Sequence, residues 1–356
     1  MKYKGITILL ILTILSIGGC NKSNQKIGKF DKFPKHVNLK GEKTGLTPRF
    51  KIALTKTHDS LLLLTATVNN INTIHLYNKN TFQHILSTGK IGRGPGEIKK
   101  PGDYILNKEL GCLLTADWGT NEIIRWSVDS LILQKKSYKP QVTYELPSSI
   151  WPPNAFTQLN DSTFLYMADN LQYYFYATDK KGNIIDSLNI KNNTNIYSNI
   201  NRKELMGKEW YHHIIHPSKN RIIIAYAHAD IVVGLDYEGN ILFQRQGPDV
   251  ITEDPAKGYL KHTYYSLKST KKYVYGLYLG GHIRKKRTSK PSIYPKNIFV
   301  FNWKGKPIAN LQLDHPIQSF DIDKENNTIV TYAADLGEVI TYDLPSFLIN
   351  QKSNLE

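Results

Sequence analysis

Six short apolar runs punctuate an otherwise polar chain. They begin at Leu61 (LLLLTAT), Cys112 (CLLTADW), Thr163 (TFLYMAD), Ile222 (IIIAYAH), Tyr273 (YVYGLYL) and Thr328 (TIVTYAA), at intervals of 51, 51, 59, 51 and 55 residues. Each is short and rich in β-branched or aromatic side chains, which predicts a strand rather than a helix. A second strand follows each run: Thr73–Tyr77, Glu122–Trp126, Tyr173–Ala177, Ile231–Asp236, Asn297–Asn302 and Glu338–Tyr342. Four of these run straight into turns, among them Lys180-Lys181-Gly182-Asn183 and Tyr237-Glu238-Gly239-Asn240, where Gly and Asn tolerate the positive φ of a tight hairpin. Third strands are expected at Phe82–Ser87, Ile184–Leu188, Ile241–Arg245 and Pro307–Leu313. One more strand precedes each apolar run, from Phe50–Leu54 in the first unit to Ser319–Ile322 in the last.

The repeat predicts an all-β fold: a six-bladed β-propeller with four antiparallel strands per blade. Only Arg202–Met206 has a local helical look. The last unit lacks a clear outer strand, and His36–Leu39 lies before the first unit and belongs to no other blade. The N-terminal segment is therefore expected to close the last blade, with His36–Leu39 as that strand, which would remove an exposed edge.

The N-terminus carries a different pattern. In MKYKGITILLILTILSIGGC, Lys2 and Lys4 precede an apolar stretch from Ile6 to Ile17 and small residues before a cysteine, the layout of a secretory signal. The apolar stretch is shorter than the roughly 20 residues a spanning helix needs. The ending Ile17-Gly18-Gly19-Cys20 resembles the bacterial lipobox, and that resemblance implies a lipidated Cys20 at the mature N-terminus. The expected organisation is a signal over 1–20, a flexible polar tether over 21–35, the propeller over 36–349 and a polar tail over 350–356. Asn21 is not the aspartate associated with inner-membrane retention, and NKSNQK lacks an acidic export run. Outer-membrane attachment facing the periplasm is the first expectation, and surface display the second.

Three fragments carry a resemblance to a family: GRGPGEIKKPGDY, TADWGTNEIIRW and YVYGLYLGG…NIFVFNWKGKPIANLQLDHPIQSFDID. They resemble the TolB-like, NHL-like six-bladed propeller lipoproteins of Bacteroidetes, over roughly residues 45–345. The resemblance implies the fold and a cell-envelope location, and says little about activity.

Composition narrows the partners. The formal charge is +16, with 22 tyrosines that suit half-buried strands. Such an excess favours anionic surfaces, but the lysines are spread along the chain and the expected compartment makes nucleic acid a poor partner. Cys20 and Cys112 are the only cysteines, so the folded body has one thiol and no internal disulfide.

Candidate chemistry is sparse. Gly92-Arg93-Gly94-Pro95-Gly96-Glu97 invites a phosphate-loop reading, but no Gly-Lys-Ser/Thr follows and Pro95 removes an amide donor. A crossing between blades is expected instead, with Arg93 or Glu97 lining a face. Trp118 either packs under a blade or offers a stacking platform for a sugar. Asp117, Asp169, Asp230 and Asp335 end comparable strands and either form an acidic ring at a channel mouth or cap turns. His212 and His216 share a strand face but stand about 13 Å apart, too far to bind one metal ion without a kink. Two insertions interrupt the repeat, Lys191–Trp210 and Gly280–Lys296, the second read as a solvated loop carrying Arg284, Lys285, Lys286 and Arg287.

No cofactor, metal or catalytic residue is implied, and a monomer is expected. The chain reads as a lipid-anchored platform that binds an envelope protein or an acidic glycan, rather than as an enzyme. The alternative is a channel-mouth lyase or hydrolase using a metal or paired carboxylates.

Overall fold

The computed structural model describes residues 28–50, 52–66, 72–94, 97–107, 110–134, 140–146, 155–160, 162–167, 175–188, 211–216, 218–227, 230–248, 259–285 and 294–349. These form six sheets. The first comprises β4 (Ile52–His58), β5 (Leu61–Ala66), β6 (Asn72–Asn78) and β7 (His84–Lys90), paired in that order. The second comprises β8 (Pro101–Asn107), β9 (Cys112–Asp117), β10 (Glu122–Ser127) and β11 (Gln141–Glu145). The third comprises β12 (Ala155–Gln158), β13 (Phe164–Met167), β14 (Phe175–Thr178) and β15 (Ile184–Leu188), and the fourth β16 (Tyr211–Ile215), β17 (Ile222–Tyr226), β18 (Ile231–Leu235) and β19 (Ile241–Gln246). The fifth comprises β20 (Tyr259–Ser269), β21 (Tyr273–Lys285), β22 (Asn297–Asn302) and β23 (Pro307–Leu313). The sixth comprises β24 (Ile317–Asp323), β25 (Thr328–Ala333) and β26 (Glu338–Asp343), completed by β3 (Glu42–Lys43). Every pairing within this four-strand frame is antiparallel, and the first strands of neighbouring sheets face one another around the axis. The six-bladed propeller expected from the repeat is the fold.

The apolar runs are the second strands, β5, β9, β13, β17, β21 and β25. Their near-continuous hydrophobicity has a simple cause. Each lies mid-blade, with a neighbouring sheet on both faces, so both side-chain sets are buried. In β9, Leu113 packs with Leu63 and Ile74 of the first blade, while Cys112 and Leu114 pack with Phe156 and Phe164 of the third. Six such apolar clusters, one at each junction, make up the core of the described residues.

The seam between blades 6 and 1 also carries a run of buried polar groups. Ser319, Asp321 and Asp323 alternate along β24 and face blade 1. Thr55 and Ser319 share a hydroxyl hydrogen bond of 2.6 Å, and Thr57 donates its amide (2.8 Å) and its hydroxyl (3.1 Å) to Asp321. The Lys79 ammonium donates to Asp323 at 2.9 Å and to Glu325 at 2.7 Å.

The N-terminal segment does close the last blade, but with different residues. Glu42–Lys43 pair antiparallel with Thr341 and Ile340, whereas His36–Leu39 (β2) pair in parallel with Asn310–Leu313 as a fifth strand of blade 5. Upstream, β1 (Gly28–Lys29) pairs in parallel with Arg245–Gln246 on blade 4. Residues 28–46 are thus a strap across three outer edges, and residues 28–35 belong to it rather than to a tether. Phe30 and Phe33 hold it down: Phe33 lies 4.4 Å from Phe299 and Phe30 5.5 Å from Phe301, ring to ring. The strap could not be read from strand propensity, because two of its three pairings are only two residues long.

A helix that the sequence reading did not anticipate, α1 (Val128–Gln134), joins β10 to β11, with Ser127 accepting the Ser130 amide at its start. Arg202–Met206 lies outside the described residues. At Gly305 a φ of +74° and a Phe243 ring 2.3 Å from where a Cβ would stand both require glycine in the β22–β23 hairpin.

Candidate functional site

Antiparallel pairing places the first–second and third–fourth strand connections on one face, here the hairpin face. The second–third turns and the passages between blades lie on the opposite, crossing face. Asp117, Asp230, Asp335 and residues 280–285 belong to the crossing face by this topology; Asp169, the insertion Lys191–Trp210 and residues 286–293 lie outside the described residues.

The passage between Lys90 and Pro101, of which residues 95 and 96 lie outside the described residues, borders a concavity. It folds on itself around buried Ile98, whose amide donates to Lys90 at 2.8 Å while its carbonyl accepts from Gly92 at 3.1 Å. The Glu97 carboxylate accepts the Lys90 ammonium (2.6 Å) and the Gly94 amide (2.8 Å), which hold it below the usual carboxylate range. Asp117, almost wholly buried, accepts three backbone amides, from Lys99 (2.8 Å), Lys100 (2.9 Å) and Gly119 (2.8 Å). The loop is therefore pinned at both ends. Beside it opens a cleft of about 340 Å³, lined by Arg93, Glu97, Lys99, Thr120, Glu122, Ile124 and Pro140 among others. Arg93 is exposed and its guanidinium has no partner among the described residues. The cleft offers the cations Arg93 and Lys99, the carboxylates Glu97 and Glu122 beside them and an apolar wall at Ile124, a set suited to a polar ligand.

Trp118 takes the packing role. Its ring sits where a Cβ on Gly102 would be, 2.5 Å away, and it joins the cluster between blades 2 and 3. The Lys100 ammonium stands 5.9 Å from its ring centre.

A second feature rises from blade 5. Strands β20 and β21 stay paired from Tyr259–Lys285 onward, whereas β22 joins only at Tyr278. The excess is a two-stranded ribbon projecting from the crossing face, with positions 284 and 285 at its end. Residues 280–285, expected within a solvated loop, are therefore strand. Lys286 and Arg287 lie outside the described residues.

The aspartates do not form an acidic ring among the described residues. Their turns join the second and third strands, at least one strand spacing out from the axis, so equivalent positions do not converge. Asp230 is buried and accepts the Tyr278 hydroxyl at 2.8 Å. Asp335 is paired with His315 at 3.2 Å. Nor do the histidines gather. His216 is buried, with Nε2 bonded to the Lys271 carbonyl (3.1 Å) and Nδ1 accepting the Ser218 amide (3.0 Å), so both nitrogens are committed to structure. No group of three His, Cys, Asp or Glu side chains able to hold a metal ion occurs among the described residues. Cys112 is buried core, and Cys20 lies outside the described residues.

Sequence reasoning places His213 only within a histidine cluster with His212 and His216 and assigns Asp103 no role, yet both are titratable groups on the innermost strands. Asp103 stands in a bulge of β8, and burial pushes its carboxyl up to about 6. His213 on β16 bonds the Thr157 hydroxyl at 3.1 Å, and burial lowers it to about 4. Both retain some contact with solvent while surrounded by protein. The strand pattern located them, but only the closed ring makes those strands innermost.

Fold and cleft together define a six-bladed propeller with a cleft on its crossing face. The chain belongs to the TolB-like 6-blade propeller-like family, whose model matches residues 30–325. It is similar in fold to a DUF4221 family member from Bacteroides vulgatus, at 8% identity and a TM-score of 0.56, over 86% of this chain and 95% of that one. It is also similar to a Bacteroides fragilis protein provisionally described as exported, at 11% identity and a TM-score of 0.51, over 86% and 98% of the two chains. No curated protein matches the sequence.

Proposed function

We propose that this protein is a lipid-anchored envelope propeller, held to the outer membrane through Cys20 and facing the periplasm, that binds an acidic glycan or an envelope protein on its crossing face. The observation that carries the reading is the pinned cleft with unpartnered Arg93 at its rim. The basic stretch Arg284–Arg287, which begins on the projecting ribbon, supports it. A rigid scaffold presenting cationic loops is a recognition design. Asp117, Asp230, Asp335 and His216 are all held by structural partners, which favours recognition over a channel-mouth lyase or hydrolase.

The test is calorimetric titration with polygalacturonate and heparin oligosaccharides, together with cross-linking in cells. Arg93→Ala and the combined Arg284→Gln, Lys285→Gln, Lys286→Gln and Arg287→Gln protein are compared with the unaltered chain. Salt-sensitive binding or a cross-linked envelope partner, lost in these variants, is the expected result. Binding or cross-linking unchanged in both variants would place recognition elsewhere.

A further inference from the structure

From the arrangement of its surface we infer that the hairpin face of blades 3 to 5 rests on the anionic bilayer surface, so that the crossing face with its cleft points away from the membrane. This deepens the anchored reading above and rests on it. Four observations converge.

The first is the direction of the strap's first pairing. Gly28–Lys29 run parallel to Arg245–Gln246 at the crossing-face end of β19, so at Gly28 the chain is heading from the hairpin face toward the crossing face of blade 4. Cys20 precedes Gly28 by eight positions, a span of at most about 29 Å even when fully extended. An acyl chain on Cys20 therefore keeps the outer edge of blade 4 close to the lipid.

The second is apolar exposure. Among the described residues, Ile184 (44%), Ile185 (57%), Tyr237 (39%) and Leu242 (38%) are exposed large hydrophobics at the hairpin ends of blades 3 and 4, whereas Leu336 (37%) is the one on the crossing face. Leu133, 81% exposed on α1, lies on the hairpin face of blade 2. Such exposed apolar side chains suit the headgroup–acyl boundary.

The third is charge. Lys180, Lys181, Lys219, Lys271, Lys272 and Lys304 are exposed on the hairpin face of these blades, and juxtamembrane lysines are attracted to anionic lipid. The fourth is that the nearby acids are occupied. Asp179 accepts the Lys181 and Asn183 amides, Asp236 accepts from Asn240, and Glu238 accepts from the Asn220 side chain. The carboxylates shape the hairpins while the lysines extend outward.

The test uses the full chain, extracted with its anchor and reconstituted in vesicles of phosphatidylethanolamine and phosphatidylglycerol. Lys181→Cys and Leu242→Cys mark the hairpin face; Lys99→Cys and Thr120→Cys mark the crossing face. Cys112 is buried and an acylated Cys20 has no free thiol, so in the anchored protein each introduced thiol takes the environment-sensitive fluorophore selectively. Brominated lipids should quench the first pair several-fold more than the second. Adding Lys180→Glu and Lys271→Glu should reduce quenching at position 242. Equal quenching at all four positions, or stronger quenching at 99 and 120, would overturn the orientation. The mass of the N-terminal peptide separates the two readings. An acylated Cys20 with the reversed pattern sinks only the orientation, whereas an unacylated Cys20 sinks the anchor and the orientation together.

Discussion

Replacing Lys79 by methionine tests how the ring is closed. The Lys79 and Asp323 side chains are each only 3% exposed, and the ammonium also reaches Glu325, which is 56% exposed. Burial works against the ammonium, but its bonds to Glu325 and Asp323 outweigh that and leave its pKa above the ordinary lysine value. Lys79→Met keeps the aliphatic volume and removes the charge, leaving Asp323 ionised and buried. Breaking one side of a buried pair costs about 3–5 kcal/mol. Asp323 keeps the Glu325 amide at 3.1 Å and the Asn326 amide at 3.4 Å, so the lower end of that range is expected. The double variant Lys79→Met, Asp323→Asn retains an acceptor for those amides without the stranded charge, and should recover most of the loss. Guanidinium unfolding followed by tryptophan fluorescence measures both. A raised lysine pKa contributes stability below its unfolded value and loses it only as pH climbs through the folded one, so the effect should be flat from about pH 6 to 9. A single-variant cost below about 1 kcal/mol, or a double variant no more stable than the single one, would show that the pair does not hold the seam.

Two further perturbations probe the channel and the strap. Burial raises the Asp103 carboxyl to about 6, so the native state binds its proton more tightly than the unfolded chain. Stability should then fall as pH rises between the unfolded and folded values. Asp103→Asn should stabilise by about 1–3 kcal/mol near pH 8 and change little near pH 3, and an equal effect in urea melts at both would refute the assignment. Phe33→Ala removes a ring packed on Phe299 and Phe301 and should cost about 3 kcal/mol while exposing the strap to trypsin at Lys35 and Lys40; unchanged cleavage would show that the strap is held by its strand pairings alone.

Much of this architecture was legible in the residues. The six apolar runs mark the second strands because a mid-blade strand is covered on both faces, and that double burial writes itself into sequence as an unbroken hydrophobic stretch. The hairpin turns followed from Gly and Asn, and the passage around Gly92–Glu97 was recognisable as structural from Pro95 and the missing Gly-Lys-Ser/Thr. The family resemblance rested on the same fragments.

What only the tertiary structure decided were relations between segments far apart in the chain. That Glu42–Lys43 rather than His36–Leu39 close blade 6 depends on which outer edge each segment passes, and strand propensity is blind to that. Whether Asp117, Asp230 and Asp335 form an acidic ring or cap turns stayed open in the sequence; the blades place their turns away from the axis and supply each carboxylate with partners. Asp103 gained its raised pKa only when β8 became an inner strand. Local pattern reports how many faces of a strand are buried. Which neighbour buries them, and which way an exposed face then points, is settled by closing the ring.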